Sequence, residues 1–143
     1  MKGLPNKPLQ PIKGPFKSEN DFKAAVLSHW LAFVRHVEIF EIENQEKEPG
    51  MPDVLIFPHQ AQVAVPTLKP GLVEFKISDA NSVIRFQKSQ PLFYKKYPNV
   101  LIYIVAWDVP RNRLVQISAE EILANKSLTY KLPEVLDENK AAC

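Results

Sequence analysis

The sequence predicts one α/β domain in which helices flank a small mixed sheet. Its 143 residues are 45% apolar and 24% charged, which is typical of an ordinary globular domain with a substantial core. Apolar residues first recur at helical spacing and then form short runs of strand length. A helical segment separates the third run from the fourth, and such a crossover makes the strands it joins parallel neighbours. The expected order is helix, three strands, helix, two strands, helix.

The first helix is expected at about residues 18–36. Ser18 is a favourable N-cap, and the acidic residues after it suit the positive end of the helix dipole. The buried face is made of apolar residues spaced by three and four, namely Phe22, Val26, Trp30, Phe33 and Val37. Glu19 stands at the edge of this face. It either faces the interior or pairs with Lys23 one turn later, and both interpretations stay open.

Five strands are expected from apolar and β-branched runs. Residues 37–43 include acidic side chains and predict an outer strand, and the polar turn at residues 44–50 should carry solvated charges. The remaining strands are residues 53–57, 71–76, 100–106 and 114–117. Because the run at 100–106 is the most apolar, we expect it to be the central strand. The run at 114–117 should be an edge strand.

Two more helices and one long connection complete the domain. A helix is expected at about residues 82–97 in spite of Pro91. A shorter helix at residues 119–124 has Ser118 as its N-cap. The connection at residues 58–70 contains three prolines, and connections of this length are often functional.

Both ends are expected to lie outside the folded domain, which would span residues 18–124. Residues 1–17 contain four prolines, four lysines and no acidic residue, which predicts an extended basic arm. A solvated terminus is the favoured interpretation of this arm, and an arm along a phosphate backbone is the alternative. Residues 125–143 lose the apolar pattern and are expected to form a loose tail.

Charge, cysteine content and hydropathy exclude several functions. The net charge of +2 is too small to hold nucleic acid by bulk charge alone, so any such contact must be local. Cys143 is the one cysteine, which excludes an intrachain disulfide and a cysteine-based zinc site. No apolar stretch approaches the roughly 20 residues that cross a bilayer. We therefore expect a soluble intracellular protein without membrane contact.

Three charged residues interrupt strands that are otherwise apolar. Glu74 and Lys76 share one face of their strand, because residues two apart point the same way, and Asp53 opens the preceding strand. If the two strands pair, two carboxylates and one ammonium group converge. Carboxylate oxygens suit a hard divalent cation such as Mg2+ or Mn2+, and a neighbouring lysine suits a phosphate. This combination fits the hydrolysis of a phosphodiester bond.

Each of these residues also has a structural explanation. Asp53 can end a turn after Pro52, and Glu74 and Lys76 can be a pair of charges on a solvent-facing strand edge. Gln90, on the helix that follows this strand, can likewise be an exposed polar residue. Taken singly, these explanations are the better ones. Taken together they weaken, because the strands are apolar on both faces and charge placed there needs a reason.

Three segments resemble one enzyme superfamily. They are Gly50-Met-Pro-Asp53, Glu74-Phe-Lys76 and, on the next helix, Arg85-Phe-Gln-Lys-Ser-Gln90. This ordered set is similar to the PD-(D/E)XK nucleases, above all to the small archaeal and viral Holliday-junction resolvases and the phage-type structure-specific nucleases. The resemblance covers about residues 18–117, although the connection at 58–70 is longer than in compact members. It implies a restriction-endonuclease-like core with the order αβββαβ.

The resemblance also implies a Mg2+-dependent endodeoxyribonuclease in which Mn2+ can substitute. Lys76 would be the catalytic lysine, and Gln90 would match the glutamine that faces the site. The metal ligands would be two strand carboxylates, one backbone carbonyl and a carboxylate of the first helix near the metal or its waters, that is Asp53, Glu74, the carbonyl of Phe75, and Glu19.

DNA is the expected partner, and branched or junction DNA is the favoured substrate. A homodimer is expected, because two symmetric cuts need two sites. The candidate pairing surfaces are apolar residues without a place in the expected core, namely Val63 and Val65 or Leu132, Val135 and Leu136. The expected location is the cytoplasm of a bacterial, archaeal or virus-infected host cell.

Two other classes of function compete with the nuclease. One is a non-catalytic nucleic-acid-binding module with the same fold, and the other is a structural or interaction protein. The two carboxylates and the lysine favour the enzyme, because a site without catalytic activity would have no reason to keep them in apolar strands.

Overall fold

The structure, a computed structural model, describes residues 14–33, 37–42, 48–52, 54–58 and 70–134. In chain order these residues form α1 (Glu19–Phe33), β1 (Val37–Glu41), β2 (Val54–Pro58), β3 (Gly71–Ile77), β4 (Val83–Arg85), α2 (Ser89–Lys96), β5 (Ile102–Asp108), β6 (Arg113–Ser118), α3 (Ala119–Asn125) and β7 (Thr129–Lys131). The expected mixed α/β class is confirmed.

The main sheet has five described strands in the order β1-β2-β3-β5-β6, and β4 pairs with β7 in a separate two-stranded ribbon. β3 and β5 are parallel, and the other pairs of the main sheet are antiparallel. The parallel pair confirms the expected crossover. The strand in the middle is β3, however, so the expectation that the run at 100–106 is central is wrong. That run lies in β5, which is buried along its whole length because it is also an interior strand.

The core lies on both faces of this sheet. On one face α1 packs against β3 and β5, where Phe22 contacts Phe75 with 6.0 Å between ring centroids. On the other face α2 and α3 cover Leu72 and Ile104. Alternation along β3 therefore turns Glu74 and Lys76 towards the α2 side.

The N-terminal region agrees with the expected helix start. The Asp21 N–H donates to Ser18 Oγ at 3.1 Å, which makes Ser18 the N-cap, and Phe22 and Val26 are fully buried. Phe16 packs its ring against Trp107 with 5.0 Å between centroids. The expected boundary of the arm at residue 17 is therefore too late in the chain, because the last of these residues pack against the core. Residues 1–13 lie outside the described residues.

The helix expected at residues 82–97 is shorter, which corrects the prediction. Ser82 has a φ of 63°, residues 83–85 form β4, and α2 begins only at Ser89. The Asp79 carboxylate accepts hydrogen bonds from the backbone N–H groups of Asn81 and Val83, and this turn competes with a helix. Pro91 then falls in the first turn of α2, where its missing N–H costs nothing.

The loose tail expected from residue 125 is also wrong for the residues that follow α3. β7 pairs with β4, the Leu132 N–H donates to Ser82 O at 2.8 Å, and Leu132 is fully buried. Leu132 is thus a core residue and leaves the set of candidate pairing residues. The other members of that set, Val63, Val65, Val135 and Leu136, lie outside the described residues.

The remaining expectations for this end of the chain are confirmed. Asn112 has a φ of 49° in the turn before β6, and β6 lies at the edge of the sheet that the described strands form. Ser118 Oγ accepts from the Glu121 N–H at 3.2 Å and caps α3. In the described part of the chain, we find no helix with the length and apolar character that a membrane span requires.

Candidate functional site

Strand β3 brings two buried charged groups to one face of the sheet. Glu74 is 9% exposed and Lys76 is 7% exposed, and they share a face because they are two residues apart. β3 lies between β2 and β5, so its edges are occupied by neighbouring strands. The alternative of an ion pair on a solvent-facing strand edge does not fit this position. Buried charge needs partners close by.

Gln90 of α2 supplies the partner of Lys76. Lys76 Nζ donates to Gln90 Oε1 at 3.0 Å, and the same oxygen accepts from the backbone N–H of Gln87 at 2.8 Å. Lys76 Nζ also lies 5.0 Å from the centre of the Phe86 ring, an attractive position for a cation. Gln90 is itself 9% exposed. It is therefore a buried side chain that fixes the lysine, and not the exposed helix residue of the alternative explanation.

A polar cavity of about 320 Å³ opens above these residues. It is lined by residues of α1, β3, α2 and the segments before β2 and α2, namely Glu19, Glu48, Pro49, Gly50, Met51, Glu74, Lys76, Gln87 and Gln90. The structure thus brings together Glu19, Glu74, Lys76 and Gln90. These four residues lie on three different elements, and all four were predicted to share a site.

The position of Glu19 favours an orientation towards the site over an ion pair with Lys23. Glu19 is an exposed residue in the first turn of α1 and lines the cavity. Lys23, one turn later, has its Nζ 3.3 Å from the carboxylate of Glu41 on β1. The ammonium expected to pair with Glu19 therefore has a carboxylate on a strand as a neighbour.

Asp53 and Phe75, two predicted metal ligands, are not among the side chains that line the cavity in the described part of the chain. Asp53 lies outside the described residues; of its neighbours, Met51 lines the cavity and Val54 pairs with Val73, one residue before Glu74. The side chain of Phe75 packs in the core on the opposite face of β3. Any role of Phe75 at the site would thus fall to its backbone, as expected.

Glu48 is a cavity residue that sequence reasoning missed. It was expected to be solvated, but its carboxylate accepts from the Tyr97 hydroxyl at 2.7 Å and from Lys96 Nζ at 3.1 Å. The Tyr97 hydrogen bond, followed by Lys96, lowers the pKa of this carboxyl below its usual range. Glu48 therefore ties the segment before β2 to the end of α2. No feature of its polar sequence neighbourhood predicts this contact.

Gly50 fixes the same segment against the start of α2. Its φ is +84°, and a Cβ placed on it would lie 2.0 Å from the carbonyl oxygen of Ser89. Only glycine combines this backbone conformation with such a close approach. The signal was present in the sequence, as the glycine of the Gly50-Met-Pro-Asp53 segment.

Tyr94 is a second residue that sequence reasoning missed. It lies one turn after Gln90 on the same face of α2, and α2 runs antiparallel to β3 because it connects two parallel strands. Burial, and then the nearby Glu74 carboxylate, raise the pKa of its hydroxyl. Among the described residues, the Tyr94 hydroxyl is the buried side-chain group without a hydrogen bond. Gln90 thus faces Lys76, and Tyr94 lies on the Glu74 side.

The charge of the cavity suits a cation. Three carboxylates and one ammonium group line it, and all its acidic donors are hard oxygens, the preferred ligands of Mg2+. Within the described residues, no group of three or more His, Cys, Asp or Glu side chains could hold a metal ion. The carboxylates of Glu19, Glu48 and Glu74 thus line one cavity without forming such a group.

Comparison with known proteins yields no relative. No family model, no curated protein and no solved structure matches this chain. The chemistry of the site therefore has to be interpreted from its own geometry.

Proposed function

We propose that this protein is a Mg2+-dependent endonuclease that hydrolyses DNA phosphodiester bonds. The observation that carries the proposal is the pair Glu74 and Lys76, buried on one face of β3 in an acidic cavity, with Lys76 held by Gln90. A buried carboxylate and a buried ammonium group two residues apart cost free energy. A catalytic site that handles a phosphate and a cation together gives a reason for that cost.

The proposed role of each residue follows from its position in the site. Glu74, Asp53 and the carbonyl of Phe75 would hold Mg2+, and Glu19 would hold the ion or its waters. When bound, the ion supplies Lewis-acid stabilisation of charge on the phosphate and lowers the pKa of water. Lys76 would contact a phosphate oxygen as a fixed point charge. Gln90 would keep Lys76 in place in the absence of substrate.

The acidity of the cavity explains why a cation is needed before substrate. Three lining carboxylates against one lysine would repel a phosphodiester, because like charges at short range are unfavourable. Neutralisation of these carboxylates by a bound divalent ion would remove this repulsion. The proposed reaction should therefore depend strictly on the metal.

We also propose that the domain has a restriction-endonuclease-like core. The order α1, β1, β2, β3, α2, β5 contains the αβββαβ succession of a restriction-endonuclease-like core, with β4 as an addition before α2. The parallel pairing of β3 with β5 supports this assignment. Selectivity for branched or junction DNA and residence in the cytoplasm of a bacterial, archaeal or virus-infected host cell are parts of the proposal that rest on the resemblance alone.

A cleavage assay with matched variants tests the proposal. Purified protein is incubated with linear duplex, single-stranded, flap and four-way-junction DNA, each with Mg2+, Mn2+ or EDTA. We expect cleavage with either metal and none with EDTA. Asp53→Asn, Glu74→Gln and Lys76→Met should abolish cleavage without loss of folding. Thermal unfolding should show that each variant is still folded, so that a loss of cleavage reports on the site.

The control variant is Glu120→Gln, which changes an exposed carboxylate of α3 outside the cavity. It should cleave like the unmodified protein. Full activity of Glu74→Gln would refute the assigned site. Metal-independent DNA binding without cleavage of any substrate would instead support the non-catalytic nucleic-acid-binding module.

A further inference from the structure

A groove of about 300 Å³ lies between α2 and α3. It is on another side of α2 from the cavity, because Leu92, which lines it, is two residues after Gln90 and so points almost oppositely around the helix. Ile122 forms a buried floor, whereas Leu92 is 58% exposed and Leu128 is 44% exposed. Large apolar side chains exposed together in a groove indicate a binding surface.

The charges around this groove have one sign. Lys88, Lys95 and Lys126 line it, and no acidic residue does so in the described part of the chain. All three lysines are exposed. A partner with an apolar centre and flanking negative charges would be complementary in both shape and charge.

One segment of the chain itself has this chemistry. Outside the described residues, segments 1–13, 34–36 and 59–69 contain no acidic residue, and segment 43–47 contains no apolar residue. Residues 135–138 instead have the sequence Val-Leu-Asp-Glu, two apolar side chains followed by two carboxylates. They follow Glu134, whose side chain is also acidic and 84% exposed.

The described chain leads away from the groove of the same copy before this segment begins. The segment from Leu128 to Leu132 is extended and runs along β4. Its length is about 13 Å, at roughly 3.3 Å per residue. Leu132 bonds to Ser82 at the far end of the ribbon of β4 and β7. Beyond it, the carbonyls of Pro133 and Glu134 both accept from the Arg113 guanidinium.

Two residues beyond this anchor span at most about 7 Å. This direction of the chain and this short reach favour the groove of a second copy over the groove beside Leu128 of the same copy. A second copy can offer its groove to Val135 and Leu136 without this restriction. Two copies that exchange the segment reciprocally make two identical contacts around a two-fold axis, which closes the assembly.

We propose that residues 135–138 of one copy occupy the α2/α3 groove of a second copy, and that the exchange is reciprocal. Val135 and Leu136 cover the exposed leucines, and Asp137 and Glu138 lie against the lysines of the groove. This proposal rests on the groove and the tail, not on the proposed function, and holds whether or not the protein cleaves DNA.

Light scattering on the full chain tests the exchange through oligomeric state. The unmodified protein should show a mass near twice 16.3 kDa. Leu136→Asp should give a monomer, because it places a charge on the apolar floor of the groove. The double change Lys95→Glu with Lys126→Glu should also give a monomer, because it opposes like charges. Adding Asp137→Lys and Glu138→Lys to that double variant should restore the dimer.

A lysine outside the groove serves as the control: Lys17→Glu should remain dimeric, and thermal unfolding should show that all variants are folded. A dimeric Leu136→Asp variant would overturn the proposal, as would failure of the combined charge reversal to restore dimers. A monomeric unmodified protein would overturn it as well. A mass that rises beyond two copies with concentration would refute the reciprocal arrangement. None of these outcomes depends on nuclease activity, so the two proposals can fail separately.

Discussion

The Lys76 ammonium group donates to Gln90 Oε1 at 3.0 Å, across a sequence separation of 14 residues. The acceptor is fixed in turn, because the same oxygen accepts from the Gln87 backbone N–H at 2.8 Å. The start of α2 thus determines where a buried cation on β3 is held. The hydrogen bond between Lys76 and Gln90 therefore depends on the packing of α2 against β3, and not on either element alone.

Removal of this acceptor should impair both folding and activity. Gln90→Leu leaves Lys76 buried without its oxygen, and the loss of such a hydrogen bond costs about 1–3 kcal/mol. Cleavage should fall about 10–100-fold, as when a supporting residue of a reactive group is removed. Denaturant unfolding and single-turnover cleavage measure the two effects.

Two further variants separate positioning from bulk stability. Gln90→Glu keeps an acceptor oxygen and should recover part of the activity that Gln90→Leu loses. Gln87→Ala should keep normal stability, because Gln87 contributes its backbone N–H and not its side chain to this bond. An unchanged cleavage rate in Gln90→Leu would show that Lys76 needs no support.

Asp108 should make stability depend on acid pH. It is fully buried at the end of β5, which by itself raises the pKa of its carboxyl, but hydrogen bonds from Ser82, Arg113 and Arg111 together lower that pKa below its ordinary value. Since the folded pKa lies below the unfolded value of about 3.9, the stabilisation is present above that pH. It is lost as the pH falls through the folded pKa.

The matching substitution is Asp108→Asn. It should cost about 3 kcal/mol at neutral pH, because it leaves Arg113 facing a neutral group in a partly buried network. The difference from the unmodified protein should shrink on acidification. Urea unfolding between neutral pH and pH values below about 4 measures both effects, with the exposed Glu120→Gln as control. A constant difference over that range would contradict the role of the carboxylate.

Gly50→Ala should strongly destabilise the fold. The added methyl group would meet the Ser89 carbonyl oxygen at 2.0 Å, at a φ of +84°. Because both the clash and the backbone conformation oppose the change, we expect a loss of about 2 kcal/mol or more. Pro49→Ala, at the exposed neighbouring position, should have little effect. Chemical denaturation of both variants makes the comparison, and equal stability would contradict the close packing against α2.

Deletion of residues 1–13 should weaken DNA binding without reducing stability. This segment carries Lys2, Lys7 and Lys13, and each phosphate contact adds about one unit to the slope of log affinity against log salt concentration. Fluorescence anisotropy at several salt concentrations should show a flatter slope for the deletion. An unchanged slope would make the segment a solvated terminus.

A longer deletion supplies the control for folding. Removal of residues 1–17 also removes Phe16, whose ring packs against Phe22 and Trp107. The longer deletion should therefore lower the melting temperature, whereas the shorter one should not.

Features that depend on short spacing could be predicted from the sequence alone. Helical periodicity and the Ser18 and Ser118 caps predicted α1 and α3, and the two-residue period placed Glu74 and Lys76 on one face. The crossover between β3 and β5 followed from the helical segment between two apolar runs. These signals are local, so a single sequence carries them.

Several contacts between distant residues came instead from packing in the folded protein. Residues 83–85 became a strand because β7, more than 40 residues later, pairs with them. Leu132 is a core residue for the same reason, although its local sequence resembles a loose tail. Glu48 reaches Tyr97 and Lys96 across the segment fixed by Gly50, and Gln90 is buried only because α2 packs on β3. Such contacts depend on packing between elements, and the spacing of residues along the chain does not encode them.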